Sequence, residues 1–143
     1  LKNDFNIHAD VWSVTSYKEL HIDAMETERE NILNGAKNAK EPYVAQITKN
    51  ESGVFIAASD YVQLLEDSIA KWLPGKLLTL GTFGFGRSEG RASLRDFFEV
   101  DAKHIVYATL YGLSRENKIK ADVLKKAAKK LEIDPKKANP IRS

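Results

Sequence analysis

The sequence reads LLTLGTFGFGRSEG over residues 77–90, where an apolar run passes directly into a glycine-rich loop. A short apolar run bounded by turn residues is typical of a strand buried in a parallel sheet, so Leu77–Leu80 is predicted to be such a strand. The loop holds four of the eight glycines of the chain, at Gly81, Gly84, Gly86 and Gly90. Because glycine tolerates positive φ, this loop can turn tightly from a strand into a helix. The stretch therefore indicates an α/β fold.

Three other segments have strand-like composition. Val54–Ala58 is a compact apolar run bounded by turn residues, which predicts a strand buried on both faces. Ile7–Val14 is rich in β-branched and aromatic residues, which predicts another strand. Pro42 is predicted to open an extended segment, Tyr43–Ile47.

Helical patterns lie between these segments. Ser16 and Glu19 have the spacing of a capping box, as do Thr27 and Glu30, and each pair predicts a helix start. Further helices are predicted from Ser59 or Asp60, with an apolar stripe from Tyr61 to Trp72, after the glycine-rich loop, after Asp101, and over the lysine-rich C-terminal region. The alternation predicts a three-layer α/β domain with a mostly parallel, mixed sheet flanked by helices.

Composition limits the class of protein. The chain has 143 residues, 22 Lys and Arg against 20 Asp and Glu, and no cysteine. That length predicts one domain over residues 1–143, and the lack of cysteine excludes disulfides and thiolate metal sites and fits a reducing cytoplasm. No apolar stretch approaches the ~20 residues of a membrane helix. Because the sequence starts at Leu1 and runs almost at once into a strand-like segment, we expect it to be a piece of a longer polypeptide.

The net charge of +2 hides an uneven distribution of charge. Residues 1–114 hold 12 basic and 16 acidic residues, whereas residues 115–143 hold 10 basic and 4 acidic ones. Six lysines cluster in that C-terminal region, namely Lys125, Lys126, Lys129, Lys130, Lys136 and Lys137. They are interpreted as the solvated face of an amphipathic helix, because no aromatic residue interleaves with them to stack nucleic-acid bases. Neither a nucleic-acid nor a membrane partner is expected.

The glycine-rich loop has the spacing of a phosphate-binding P-loop from Gly81 to Ser88, but Arg87 stands where the lysine belongs. Arginine is not equivalent to that lysine, and no apolar strand ending in Asp follows the loop. A dinucleotide-binding fingerprint also fails, because its third glycine would fall at Glu89. A P-loop-like nucleotide binder therefore stays a remote alternative.

A structural role for the loop is the simpler interpretation. Phe83 and Phe85 are then predicted to pack, and Arg87, Arg91 and Arg95 are predicted to pair with Glu89, Asp96 or Glu99. Alternatively, the loop faces a partner or an anionic ligand. The candidate residues for such an interface or anion contact are Gly84, Phe85, Gly86, Arg87, Ser88 and Arg91.

No catalytic, cofactor-binding or metal-binding residues are predicted. His8, His21 and His104 have no neighbours at metal-ligand spacing, and His104 is expected at the surface or at an interface. The acidic residues are expected on polar faces, with no pair isolated in an apolar setting. The chain is predicted to lack an active site of its own.

Several segments together resemble one enzyme family. Residues 80–88 read LGTFGFGRS and residues 97–101 read FFEVD; ADVWSVTS stands at 9–16, PYVAQI at 42–47 and NP at 139–140. This combination resembles the C-terminal domain of the homodimeric pyruvate dehydrogenase E1 components, which are thiamine diphosphate enzymes of the transketolase superfamily. The family usually has Asp where this chain has Phe83, so any polar contact of that Asp is in doubt here.

The resemblance implies a function for a longer parent enzyme. Thiamine diphosphate and magnesium would be bound by its other domains, which would decarboxylate pyruvate and acetylate the lipoyl group of the E2 acetyltransferase. None of the family's cofactor-binding motifs lies in this chain, so no cofactor is expected here and the chain alone is expected to be inactive. The family's domain also begins one strand and one helix earlier.

Two roles stay open for the domain itself. It is either an assembly domain, packing against the other domains and the second subunit of the E1 homodimer, or a docking or regulatory module. In the second case its glycine-rich loop or lysine-rich helix would bind E2 or an anionic effector.

Overall fold

Two parallel strands form the sheet of the computed structural model, which describes residues 1–35 and 37–142. Strand β1 (Phe55–Val62) pairs with strand β2 (Leu77–Thr82) in a register that runs from Phe55 opposite Leu77 to Val62 opposite Thr82. The register is irregular between Ala58 and Val62. Helices pack against both strands, so the prediction of an α/β fold is confirmed.

The α-helices of the described residues are α1 (Lys2–Phe5), α2 (Tyr17–Leu33), α3 (Tyr43–Thr48), α4 (Leu64–Asp67), α5 (Arg91–Phe97), α6 (Ala102–Arg115) and α7 (Ala121–Lys130). Two short 3-10 helices cover Ala70–Trp72 and Pro140–Arg142. None of the helices within residues 1–35 and 37–142 has the length and apolar character needed to cross a membrane.

The core lies where α6 packs against the sheet and against α7. Leu110 of α6 and Ala127 of α7 are fully buried. Gly112 of α6 lies so close to the sheet that a Cβ there would stand 3.1 Å from Val54 Cγ1. As predicted, Asp101 caps α6, because its Oδ1 accepts a hydrogen bond of 3.1 Å from the His104 N–H. The lysines of α7 are exposed, as expected for a solvated face.

The prediction of a strand at Ile7–Val14 is wrong. These residues belong to no helix or strand and pair with neither β1 nor β2. Val11 is 94% exposed and Trp12 is 53% exposed. A β-strand is stabilised by a neighbouring strand and by burial of one face, and this segment has neither within the described residues.

The extended segment predicted after Pro42 is also wrong, since Tyr43–Thr48 forms α3. Pro42 is the N-cap residue with extended backbone angles, and Asp23 of α2 accepts a 2.7 Å hydrogen bond from the Tyr43 N–H. This contact satisfies one of the free N–H groups at the helix start. The carboxylate lies 20 residues away in sequence, so the local pattern did not indicate it.

The capping box at Ser16 is confirmed, because Ser16 Oγ accepts a 3.2 Å hydrogen bond from the Glu19 N–H. The second pair does not start a helix, since α2 runs unbroken past Thr27 to Leu33. The helix ends at Leu33, and Gly35 follows with φ of +62°, a backbone region that favours glycine after a helix end.

The long helix predicted from Ser59 or Asp60 is wrong, because β1 continues to Val62 and only the short α4 follows. Contacts with β2 hold this region extended. Thr82 Oγ1 donates to the Asp60 carbonyl at 3.0 Å, and the Gln63 N–H donates to the Thr82 carbonyl at 3.3 Å. In β1 only Ala57 is buried, so the prediction of burial on both faces is also wrong.

Glu66 of α4 contradicts the expectation that acidic residues occupy polar faces. It is fully buried, and neither of its carboxylate oxygens has a hydrogen-bond partner among residues 1–35 and 37–142. Buried carboxylates normally have partners, so this side chain is expected to lower the stability of the fold.

Candidate functional site

The glycine-rich loop follows β2 and projects an aromatic side chain into solvent. Gly84 and Gly86 have φ of +65° and +71°, a backbone region that favours glycine. Between them Phe85 is fully exposed, so the prediction that Phe85 packs is wrong, whereas Phe83 is partly buried. The two glycines direct the chain through a turn that leaves Phe85 at the tip of the loop.

Arg95 lies on α5, the helix after the loop, and forms an ion pair with Asp60 near the end of β1. Its Nε and Nη2 donate to the two carboxylate oxygens of Asp60 at 2.9 and 2.7 Å, a bidentate pair. The hydrogen bond from Arg95 is the main reason why the pKa of Asp60 is lowered from its usual value. The predicted pairing of Arg95 with a nearby acid is therefore wrong, because its partner lies 35 residues earlier.

Asp96 also pairs differently from the prediction, since its partners are lysines. Lys103 Nζ lies 2.6 Å from one carboxylate oxygen of Asp96, and Lys137 Nζ lies 3.5 Å from the other. The hydrogen bond from Lys103 is the main cause of the lowered pKa of Asp96. Lys137 also lies 3.9 Å from a carboxylate oxygen of Glu99. The ion pairs of Lys137 hold the C-terminal segment near α5. Lys137 therefore does not belong to the solvated face of α7.

A cavity of about 310 Å³ opens beside the loop, where β1 and β2 end. Three of the six predicted loop residues line it, namely Gly86, Arg87 and Arg91, whereas Gly84, Phe85 and Ser88 do not. The sequence did not indicate the other wall residues as site residues; they come from β1, β2, the loop, α5 and the segment after α5, and are Asp60, Thr82, Glu89, Leu94, Arg95, Phe98 and Val100. The carboxyl ends of parallel strands are the usual place for ligands in α/β folds.

His104 is buried rather than at the surface, with 9% of the residue exposed. Its Nδ1 lies 2.6 Å from Oδ1 of Asp101, the residue that caps α6. One ligand atom each of Asp96, Asp101 and His104 lies within 4.8 Å of the others, as in a small metal site. Lys103 and Lys137 already neutralise Asp96, however, so ion pairs and a helix cap account for this cluster.

Comparison with known proteins identifies the family. Residues 1–101 match the family profile described as the transketolase-like TK C-terminal domain. The chain belongs to this family. The fold class predicted from the sequence agrees with this assignment, since the transketolase-like C-terminal domain described here is α/β with a parallel pair of strands.

The chain is also similar to curated proteins over nearly its whole length. It is 44% identical over 142 residues to the pyruvate dehydrogenase E1 component of Pseudomonas aeruginosa, an alignment that covers 99% of this chain and 16% of that protein. It is 38% identical over 141 residues to the E1 component of Escherichia coli K12, covering 98% and 16% of the two chains. For Buchnera aphidicola the identity is 42% over 142 residues, with 98% and 16% covered. The predicted resemblance is confirmed, and the chain spans about one-sixth of the length of these relatives.

The residues of this transketolase-like C-terminal domain do not fit a magnesium-bound diphosphate at the glycine-rich loop. Magnesium takes free carboxylate oxygens as ligands. Arg95 occupies both oxygens of Asp60, which leaves Glu89 as the single other carboxylate of the cavity lining. Arginine at position 87 also replaces the compact ammonium group that a P-loop uses. The cavity therefore gives no support to a role in binding thiamine diphosphate or a nucleotide.

Proposed function

We propose that this chain is the C-terminal assembly domain of a longer, homodimeric pyruvate dehydrogenase E1 polypeptide. The observation that carries the proposal is the 44% identity to the Pseudomonas aeruginosa E1 component across 99% of the chain. Residues 1–143 form that one domain without its first strand and helix. A cytoplasmic location is part of the proposal, and the absence of cysteine is compatible with it.

In this proposal the chemistry belongs to the rest of the polypeptide. Thiamine diphosphate, bound together with magnesium by the other domains, would supply the carbanion chemistry for pyruvate decarboxylation, and the acetyl group would pass to the lipoyl group of E2. The 143-residue chain alone has no decarboxylase activity. Its own residues serve to hold the domains and subunits together.

Exposed apolar side chains support the assembly role. Phe85 is fully exposed at the tip of the glycine-rich loop, and Val11 and Trp12 are exposed on the unpaired segment 7–14. Aromatic side chains are enriched at protein interfaces, where they bury large contact areas. We propose that Phe85 packs against another domain or the second subunit of the E1 dimer. The alternative role, docking of E2 or an anionic effector, uses the same loop or the lysines of α7.

Replacing Phe85 by Ser distinguishes assembly from docking. The test protein is a chimera in which the matching 142-residue stretch of the Pseudomonas aeruginosa E1 component is exchanged for this chain. Loss of one buried aromatic anchor should raise the dimer dissociation constant by about tenfold or more, measured by ultracentrifugation on dilution. Lipoyl acetylation should fall in parallel at concentrations where the dimer dissociates.

The matched control for Phe85→Ser is Ser93→Ala, which changes an exposed residue of α5 outside the candidate interface residues and should leave the dimer intact. A Phe85→Ser chimera that keeps its dimer but binds E2 less tightly would assign the loop to E2 docking instead. A chimera with unchanged dimerisation, E2 binding and acetylation would exclude both roles for Phe85.

A further inference from the structure

The cavity at the carboxyl ends of β1 and β2 contains more positive charge than the carboxylates of its lining neutralise. Arg87, Arg91 and Arg95 all line it. The guanidinium group of Arg95 forms a bidentate ion pair with Asp60. Neither Arg87 nor Arg91 forms an ion pair with any carboxylate in the part of the chain that the structure describes. Two guanidinium groups at the cavity thus remain available to a ligand.

The position of Arg87 is fixed by an aromatic ring. Its guanidinium carbon lies 4.4 Å from the centroid of the Phe97 ring, within the range of a cation–π contact. This contact orients the planar group without using its hydrogen-bond donors. An oriented arginine loses less side-chain entropy when it binds a carboxylate or phosphate.

The net charge of the cavity favours a ligand with one negative charge. Arg95 and Asp60 neutralise each other, which leaves Arg87 and Arg91 against Glu89, the remaining carboxylate of the lining. The excess is one positive charge. One carboxylate, held by an arginine fork, would neutralise this excess, whereas a dianionic phosphate would leave the cavity with a net negative charge.

The rest of the wall is apolar. Leu94, Phe98 and Val100 line the cavity, and Phe98 and Val100 are themselves buried. A volume of about 310 Å³ lies at the lower end of the range for small-molecule sites. The ligand is therefore small, with an apolar body beside its anionic group.

We propose that this cavity binds a small organic monocarboxylate, with the carboxylate held by Arg87 and Arg91 and the apolar body against Leu94, Phe98 and Val100. Phe85 does not line the cavity, so the loop can contact a protein surface and form this site at the same time. The proposal rests on the cavity alone, and it stands or falls independently of the proposed role in an E1 component.

The experiment titrates the 143-residue chain with benzoate, and with benzyl alcohol and inorganic phosphate as comparison probes. Binding is followed by chemical shifts of backbone amides. Benzoate should bind saturably, with shifts at Gly86 and Leu94, and at least about tenfold more tightly than either comparison probe. Benzyl alcohol tests the need for the carboxylate, and phosphate tests the preference for a monoanion.

Arg91→Gln and Arg87→Gln should each weaken benzoate binding by about tenfold or more, because each removes a charged fork. Arg29→Gln is the matched control, since Arg29 lies on α2 and does not line the cavity, and it should leave the affinity unchanged. Thermal unfolding of every variant establishes that it is folded. No saturable binding of benzoate overturns the proposal, as does equal affinity for phosphate, or affinity that survives both arginine substitutions.

Discussion

Replacing Gly81 by Ala should lower the free energy of unfolding by about 2–3 kcal/mol, because β2 and the residue after β1 approach each other too closely for a side chain. A Cβ at position 81 would stand 2.7 Å from the Gln63 Cα and 2.8 Å from the Gln63 nitrogen. These are backbone atoms, so a side-chain rotation cannot relieve the overlap. Gln63 is also held in place, because its Nε2 donates to the Thr79 carbonyl at 2.9 Å and its N–H donates to the Thr82 carbonyl.

Urea unfolding of the 143-residue chain measures this effect, with Gly90→Ala as the matched control. Position 90 has an ordinary φ of −63° and no atom within 4 Å of an added Cβ. Because Gly90 is an N-cap residue, the control should cost no more than about 1 kcal/mol. If Gly81→Ala proved as mild as Gly90→Ala, the close approach of Gly81 to Gln63 would be contradicted.

Replacing Glu66 by Met should stabilise the chain by about 1–3 kcal/mol, the usual penalty for a buried polar group left without a hydrogen bond. Glu66 is fully buried, and both of its oxygens lack a hydrogen-bond partner within the described ranges 1–35 and 37–142. The pKa of the Tyr17 hydroxyl is raised, mainly by the burial of Tyr17 and also by the negative charge of nearby Glu66. Methionine is unbranched, has similar helix propensity and adapts to irregular space, so it fills the volume without a polar atom.

Thermal unfolding is the measurement for Glu66→Met, and the melting temperature should rise by roughly 3–10 °C for a chain of this size. The matched control is Glu26→Met, the same exchange at an exposed position of α2, which should change stability by less than about 0.5 kcal/mol. A Glu66→Met variant less stable than the parent chain would mean that Glu66 has a stabilising partner, contrary to this account.

Signals between residues close in sequence predicted part of the fold. The caps at Ser16 and Asp101 each join a side chain to an N–H three residues later, so the sequence shows both partners together. The apolar run Leu77–Leu80 and the glycines after it likewise predicted β2 and the turn that follows. These features depend on local geometry, which the residue types largely determine.

The features that local patterns did not predict, in the candidate site and elsewhere, depend on residues that are distant in sequence. Arg95 and Asp60 are 35 residues apart, so the sequence suggested nearer acids as partners for Arg95. Ile7–Val14 has strand composition, but composition does not state whether a neighbouring strand is present. Glu66 has both apolar and polar neighbours in the sequence of α4, so its burial could not be predicted from them. The structure shows that α2 packs against α4 and that Glu66 is buried.

The assignment to an E1 polypeptide is tested most directly by pyruvate-dependent acetylation of the E2 lipoyl group. Three proteins are compared: the Pseudomonas aeruginosa E1 chimera that carries this chain, the same E1 with the matching stretch deleted, and the 143-residue chain alone. The chimera should turn over within about tenfold of the natural enzyme, a barrier change of ~1.4 kcal/mol, and the other two should show no turnover. A dimeric chimera without acetylation, or an active deletion variant, would contradict the account.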